Sequence, residues 1–373
     1  MLNVLIIQEH LPEFRVPFYE RLRAVLMANN INLQLVYAPN QRNTFLRGTL
    51  DRATAVPIHW FGLLAWQPVL DRARKADLVI VQQESKYAVN PLLQVLAKCG
   101  GTPVAYWGHG QNFQLPLGKG LTSSLKNFLA TKVHWWFAYN DLSAAVVRGL
   151  GYPENRITSV GNAIDTTGLI ERKKSITRQE IVSVHVELGL NSENLAVYTG
   201  GIYSNKRIKF LLASAILIRA AIPDFELIVI GDGPERNRIS AAASRYPWIH
   251  DVGPKSDHAK VPYWALAKLL LMPGGVGLVI LDSFALGVPL VTTDSALHGP
   301  EIDYLKNHIN GLMVPCGNSH EIYATAVADL LMDTTRLEGL RAGGLASSAE
   351  HTIEKMSANF AAGVILALDQ PQA

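Results

Sequence analysis

Only two cysteines, Cys99 and Cys316, occur in 373 residues. They are too few and too far apart for a disulfide framework or a cysteine metal site, and they point to a reducing compartment. Long apolar runs are missing too. No uninterrupted stretch approaches the ~18 to 20 residues of a membrane span, and the longest candidate, 265–281, contains Lys268 and a Pro-Gly-Gly break. The opening MLNVLIIQEH has a short apolar run with no basic residues before it and Gln-Glu-His after it. It reads as a first buried strand rather than a signal peptide. Asp-x-Asp, clustered His and Cys, G-x-S-x-G and G-x-x-x-x-G-K-[ST] are all absent, as are low-complexity segments and short-period repeats. These absences count against a nucleophile-elbow hydrolase, a P-loop NTPase and a His/Cys metal centre.

What is present is the composition of a soluble globular protein, 49% hydrophobic and 17% charged, in a chain long enough for two domains. The net charge of +3 hides an asymmetry: residues 1–180 carry 20 Lys and Arg against 12 Asp and Glu, and residues 181–373 carry 14 against 19. A basic front half and an acidic rear half suggest different partners for each. A nucleic-acid footprint would be denser and clustered, so no nucleic-acid partner is expected.

Short β-rich apolar runs alternate with amphipathic segments along the whole chain. In the front half the runs are Val4 to Ile7, Leu33 to Tyr37, Leu78 to Val81, Val104 to Trp107 and Trp136 to Ala138. Between them lie helical patterns such as VPFYERLRAVLMANN, in which Phe18, Leu22, Val25 and Leu26 share a face. After Asp165 the chain turns polar, and the alternation restarts at LAVYTGG. The expected organisation is a first domain over 1–170, a linker over 171–194, a second domain over 195–350 and a final helix over 351–373 packing back on the first domain. The fold class is α/β, with two doubly wound, Rossmann-like parallel sheets facing a cleft. Ligands of such sheets bind beyond the carboxyl ends of the strands. Glycine-containing turns stand there at Gly108–Gly110, Gly200–Gly201, Gly231–Gly233 and Gly274–Gly277.

Several of these turns carry chemistry. VYTGGIYSNKRIKFLLAS places Lys206 just before a helix, where unpaired N–H groups and a lysine together suit a phosphate; the alternative is a solvated lysine. LLLMPGGVGLVILDSFALGVPLV repeats the design without the lysine. Its glycines are either a plain tight turn or a place where the backbone approaches an anion. Asp282 follows on an apolar helix, where a buried carboxylate needs partners and could accept from sugar hydroxyls. AYWGHGQNF puts His109 at a strand end, as a donor to a sugar hydroxyl or phosphate, or as a loop histidine without a role. Glu301, in ALHGPEIDYL, reads by default as an exposed acid at a helix start. The G-x-G at Gly231–Gly233 is followed by Pro234 and lacks a third glycine, so it does not make a dinucleotide fingerprint.

In this order, these segments resemble retaining glycosyltransferases of the GT-B architecture, in particular glycosyltransferase family 4. ENRITSVGNAIDTTGL is similar to the family's Asn-Gly-Val-Asp turn, with Asn162 and Asp165 matching and Ala163 replacing the glycine. YTGGIYSNKRIKFLL is similar to its Gly-Arg-Leu…Lys-Gly loop: Lys206 matches the lysine, and Gly201 stands where the family has arginine. PGGVGLVILDSFALGVPLVTTD is similar to its Glu-x7-Glu element, with Asp282 on the second acid and Gly274 on the first. The front half lacks the family's Gly-Gly loop after the first strand and has EHLPEFRVPFY instead.

The resemblance implies transfer of a hexose from a nucleotide diphosphate sugar, with retained configuration and no cofactor or metal. The front domain would be the acceptor side and the rear domain the nucleotide-sugar side. Lys206 would hold the diphosphate with Gly200 and Gly201, Asp282 the ribose hydroxyls, and the backbone of Gly274, Gly275, Val276, Gly277 and Leu278 the sugar-phosphate end. His109 would sit by the transferred sugar, with Arg15, Asn162 and Glu301 as further candidates. Arg15 could replace the charge missing at Gly201. The acceptor would be a cell-envelope polysaccharide or a lipid-linked sugar, handled in the cytoplasm or on the inner face of the membrane. A non-catalytic sugar-nucleotide-binding relative is the alternative, and an epimerase of the same architecture would need acids that are not seen. GKGLTSSLKNFLATKVHWWF, with Lys119, Lys126 and Lys132 beside Leu125, Phe128, Leu129, Trp135 and Trp136, is a candidate contact with an anionic membrane. Its alternative is that the tryptophans belong to the next buried strand.

Overall fold

The computed structural model describes residues 1–39, 53–84, 86–110, 128–295 and 297–372. The chain divides into two compact units, Met1–Asp165 with Thr352–Ala373, and Thr166–His351.

The front unit is built on a seven-stranded parallel sheet. Its strands are β1 (Leu2–Gln8), β2 (Ile31–Tyr37), β3 (Ala53–Ala55), β6 (Leu78–Gln82), β7 (Val104–Gly108), β8 (Trp135–Ala138) and β9 (Ile157–Ser159), in the order β3-β2-β1-β6-β7-β8-β9. β1, β6 and β8 are nearly continuous apolar runs because a parallel sheet is covered on both faces. A separate antiparallel hairpin, β4 (His59–Phe61) and β5 (Leu64–Trp66), stands outside this sheet. In the helix Val16–Ala28, Phe18, Leu22 and Leu26 are fully buried, whereas Val25 is exposed at the edge of the stripe. The last helix, Ile353–Asp369, packs on this unit. Phe360 stacks on Phe137 at 4.3 Å between ring centroids. Gly363 lets the helix approach β9, since a Cβ there would fall 2.4 Å from Thr158 Oγ1.

The rear unit repeats the design with six parallel strands: β10 (Leu195–Thr199), β11 (Glu226–Ile230), β12 (Ile249–Gly253), β13 (Leu269–Leu271), β14 (Leu290–Thr293) and β15 (Gly311–Val314). The order β12-β11-β10-β13-β14-β15 reverses direction between β10 and β13, which makes their carboxyl ends a topological switch point. The segment expected as a linker is helical, over Thr167–Ser175 and Arg178–Leu188. Thr177 and Glu180 form a complete capping box there, and Gly189 ends the helix in the left-handed conformation at φ 62°.

One sequence expectation needs correction here. Trp135 and Trp136 belong to β8 and are 1% and 0% exposed, because neighbouring residues of a strand face opposite sides of the sheet and both sides of this parallel sheet are covered. They are not at the surface for a membrane. Of the same stretch, Lys132 lies over the exposed Phe128 ring at 4.8 Å, and Lys119, Leu125 and Lys126 lie outside the described residues. Among the described residues no helix is long and apolar enough to cross a membrane.

Candidate active site

At the switch point of the rear sheet, two turns are packed into each other. β10 ends at Thr199, and Gly200 follows with φ of 139°, a conformation that L side chains rarely adopt. The next turn, Ser204–Lys206, leads through Arg207 into the helix Ile208–Ala221. Arg207 is a non-glycine residue in the left-handed region, at φ 54°. Its guanidinium offsets that strain: it donates to Thr293 Oγ1 (2.9 Å), Ser295 Oγ (2.9 Å) and Asn318 Oδ1 (2.8 Å), and lies 4.1 Å from the Phe210 ring centroid. The clamp fixes where Lys206, one residue earlier, projects.

The glycines of the β13 turn fall into two kinds. A Cβ on Gly274 would lie 2.2 Å from the Lys206 carbonyl carbon, and one on Gly275 would lie 2.8 Å from Leu297 O. These two are glycine because protein backbone passes against them. Gly277 differs: a Cβ there would meet nothing within 4 Å, and its φ is not left-handed. Neither packing nor conformation demands glycine at 277, so open space borders the backbone just where the helix Val279–Leu286 begins. In this first turn Ile280 and Leu281 N–H donate back to Gly277 O (3.2 Å) and Leu278 O (2.9 Å), which tightens the helix start around the opening. The G-x-G of the β11 turn belongs with the packed kind, since Cβ atoms on Gly231 and Gly233 would meet Gly200 O at 2.0 Å and Ile202 O at 2.6 Å.

Hydrogen bonds hold this turn in one shape. Gly275 N–H donates to Asn205 O at 2.9 Å, and Thr293 Oγ1 donates to Pro273 O at 2.9 Å. Val276 N–H donates to His298 Nδ1 at 3.1 Å, and His298 Nε2 donates to Thr293 O at 2.8 Å. Burial keeps the His298 pKa below its ordinary value, as this neutral tautomer requires. Lys206 Nζ donates to the Gly275 carbonyl, leaving two of its three N–H groups for other acceptors. Burial pulls the Lys206 ammonium below the usual lysine value, and Glu301 opposes that pull. Glu301 is itself 5% exposed rather than on the surface, because the 3-10 turn Pro300–Tyr304 tucks it against Gly299.

Asp282 is buried, as its apolar neighbours required, and its partner is Lys260, which sequence reasoning missed. Lys260 Nζ donates to Asp282 Oδ2 at 2.8 Å and to Asp257 Oδ1 at 2.7 Å. Burial alone would depress the lysine, but the two carboxylates outweigh it and raise its pKa. The i, i+3 spacing of Asp257 and Lys260 was visible in the sequence; the reach to Asp282 was not. Asp282 Oδ1 is buried and has no hydrogen-bond partner among the described residues. Lys206, Gly274, Gly275 and Glu301 are thus brought together, whereas the Asp282 carboxylate is engaged by its own lysine. At Gly201, a Cβ would fall 2.2 Å from the Tyr203 ring, so the aromatic ring occupies the space beside the residue that replaces the family's arginine.

The front-unit candidates form a second cluster. His109 follows β7 and packs its ring on Tyr139 at 4.0 Å. Burial and then the Arg15 charge push its pKa down to about 4, so the imidazole is neutral at pH 7. Arg15 is buried, and it donates to Ala163 O at 3.0 Å and to Asn162 Oδ1 at 2.5 Å. Both terminal nitrogens of Arg15 are therefore engaged within this unit, by neutral acceptors. Gln111, Asn112 and Phe113 of the same motif lie outside the described residues. Among the described residues no group of three or more His, Cys, Asp or Glu is placed to hold a metal ion.

Two Rossmann-like parallel-sheet units, the second with a lysine and glycine turns at its switch point, define a chain of the GT-B architecture. Residues 193–333 match the family described as "Glycosyl transferases group 1". Over 243 residues the chain is 24% identical to the Bacillus subtilis (strain 168) protein named "Putative glycosyltransferase EpsD", covering 60% of this chain and 59% of that one. Over 123 residues it is 34% identical to "Exopolysaccharide phosphotransferase SCO2592" of Streptomyces coelicolor, covering 31% of this chain and 12% of that one. The chain thus spans less than two thirds of the length of either relative. The crystal structure of Anabaena Alr3699/HepE in complex with UDP shares the fold, with a TM-score of 0.74 at 16% identity over 98% of this chain and 100% of that one.

Proposed function

We propose that the protein is a glycosyltransferase of the hexosyltransferase class, moving a sugar from a nucleotide diphosphate sugar to a polysaccharide or lipid-linked acceptor, with retained configuration and without a metal. The observation that carries this reading is the pairing of Lys206 with the open backbone at Gly277. A partly desolvated ammonium is anchored beside the start of a helix, where a Cβ on Gly277 would meet nothing within 4 Å. A diphosphate supplies the negative charge that both want. The match to the group 1 family over residues 193–333 supports the reaction class, and the UDP and UDP-glucose complexes of the Anabaena protein support a uridine donor.

In this reading Lys206 neutralises charge developing on the leaving diphosphate. The turn from Gly200 to Gly201 and the backbone from Gly274 to Leu278 shape its bed, and Glu301 sets the field around the lysine. Asp282 Oδ1, buried without a partner, is the candidate acceptor for a ribose hydroxyl. Neutral His109, held by Tyr139 and oriented near Arg15 and Asn162, serves the transferred sugar as a hydrogen-bond donor rather than as a cation. In this reading the protein works in the cytoplasm, or at the inner face of the membrane where a lipid-linked acceptor would be presented.

A second reading, a non-catalytic sugar-nucleotide-binding protein of the same fold, is favoured by two positions. Gly274 is closed to any side chain by the Lys206 backbone, and Tyr203 fills the space at Gly201. The separating experiment is turnover: nucleoside diphosphate release from a nucleotide-sugar panel with acceptor present supports transfer, and tight donor binding without release supports the second reading.

A further inference from the structure

The hairpin β4–β5 ends in an apolar tip with no cover among the described residues. Trp60, Phe61, Leu63 and Leu64 are 53%, 69%, 92% and 52% exposed, in one uninterrupted stretch around Gly62. Elsewhere the described chain exposes large apolar side chains mostly singly or in pairs, which is ordinary for a soluble protein. Four together at a turn are not. The tip is also firmly based. Ala65, at the root of the hairpin, is fully buried, donates its N–H to Lys86 O at 2.8 Å and accepts from Ala88 N–H at 2.9 Å. Gln67 below it is buried and donates to Val56 O at 3.0 Å. A rigid root with a bare apolar tip is built to hold that tip against something.

We propose that this hairpin inserts into an anionic lipid surface and seats the front unit on it. The shape favours a lipid over a protein partner. Leu63 at 92% exposure touches almost nothing, so the tip is a convex point with no apolar rim around it, which suits penetration of a soft interface better than docking on a rigid face. The surrounding chemistry agrees. Trp60 stands at the flank of the tip, an aromatic of the kind found at membrane interfaces; the Lys86 ammonium 5.9 Å from its ring centroid is paired with Glu9 and Glu84, so it braces the hairpin root rather than offering a free charge. The chain leaving the hairpin carries Arg72, Arg74 and Lys75, all exposed, with Asp71 offsetting one of them through Arg74 at 3.3 Å. Basic side chains in such a place draw anionic headgroups. Met1–Asp165 with Thr352–Ala373 carries 17 Lys and Arg against 12 Asp and Glu, so the whole unit shares that sign. The hairpin gives the membrane partner of the proposed function a physical attachment, in place of the buried Trp135 and Trp136.

The test is sedimentation of the full chain with vesicles of phosphatidylcholine and phosphatidylglycerol in equal parts, and with phosphatidylcholine alone, beside the double variant Phe61→Ser, Leu63→Ser. Both residues are exposed, so the variant should unfold at the wild-type temperature. Wild type should sediment with the mixed vesicles, more weakly with the neutral ones. The variant should partition on the order of 100-fold less, since each inserted side chain is worth roughly tenfold or more. Equal sedimentation of variant and wild type, or none of wild type with either vesicle, overturns the proposal. So does a wild-type dimer that ignores vesicles and that the variant loses, which would make the tip a self-association surface. Donor turnover without vesicles is measured in parallel and should be the same for both. Vesicle binding without turnover of any donor would sink the transferase reading and leave the hairpin standing.

Discussion

Gly274→Ala should force the two packed turns of the rear sheet apart. The added Cβ would lie 2.2 Å, 2.4 Å and 2.4 Å from the carbonyl carbon, Cα and carbonyl oxygen of Lys206. Ordinary contacts lie near 3.4 to 4 Å, so the two turns must separate by more than 1 Å. That separation strains or breaks the bond from Gly275 N–H to Asn205 O and the bond from Lys206 Nζ to Gly275 O. Overpacking costs about 1–3 kcal/mol, and two hydrogen bonds contribute about 0.5–1.5 kcal/mol each. The expected loss is therefore about 2–6 kcal/mol, or roughly 4–24 °C for a unit of this size. It is measured by thermal and guanidinium unfolding. UDP titration should show weakened binding as well, because Lys206 is displaced with the turn. Gly274→Glu, which installs the family's acid, should do no better than alanine. An alanine variant melting within about 1 °C of wild type, a shift worth well under 1 kcal/mol, would refute the claim that the Lys206 backbone dictates glycine here.

Further outcomes follow from the same geometry. Asp282→Asn should lower stability by roughly 1–3 kcal/mol, because Lys260 loses its buried charged partner and keeps only the exposed Asp257; Lys260→Met with Asp282→Leu should recover most of the loss in chemical unfolding, and additive losses would mean the two do not act as a pair. If Asp282 also meets a ribose, Asp282→Asn should raise the donor KM more than it lowers kcat, and an unchanged donor KM removes that role. His109, depressed to about 4 from an unfolded value of 6.5, binds fewer protons folded than unfolded between those values. It therefore contributes stability that is present above pH 6.5 and lost as pH falls towards 4, on the order of 3 kcal/mol, and His109→Asn should flatten that stretch of the pH–stability curve. Activity should survive EDTA, since lysine and helix-end N–H groups can supply the counter-charge; loss on chelation with recovery on Mg²⁺ or Mn²⁺ would contradict it.

The fold was legible because both sheets are buried on both faces, so their strands read as apolar runs such as LIVI and VYT, and the glycine turns mark the carboxyl ends. The helix Arg178–Leu188 carries a start signal in Thr177 and Glu180 and a stop signal in Gly189, but the polar composition of the stretch hid it behind a linker reading. The site was legible only in part. Sequence shows that three glycines stand between β13 and its helix, and not which of them a protein atom requires; that depends on Lys206 and Leu297, distant in sequence. Asp282 announced that it needed a partner, yet its partner came from a different helix. Trp135 and Trp136 misled because an aromatic pair beside lysines looks the same in a buried strand as at an interface. The exposed Trp60 and Phe61 carry no periodic signal that separates them from a core strand.

Sugar transfer by this protein is proposed to depend on Lys206 at the Gly277 opening. Its most direct test is incorporation of label from a panel of radiolabelled nucleotide sugars into a membrane extract, with wild type, Lys206→Ala and Lys206→Met, the last keeping the buried stem. Wild type should transfer label from one donor of the panel. Both variants should fold and should lose about 10²- to 10³-fold in kcat, as for removal of one preorganised donor. Transfer by the variants within twofold of wild type, or donor binding by wild type with no label transferred from any donor, would contradict it.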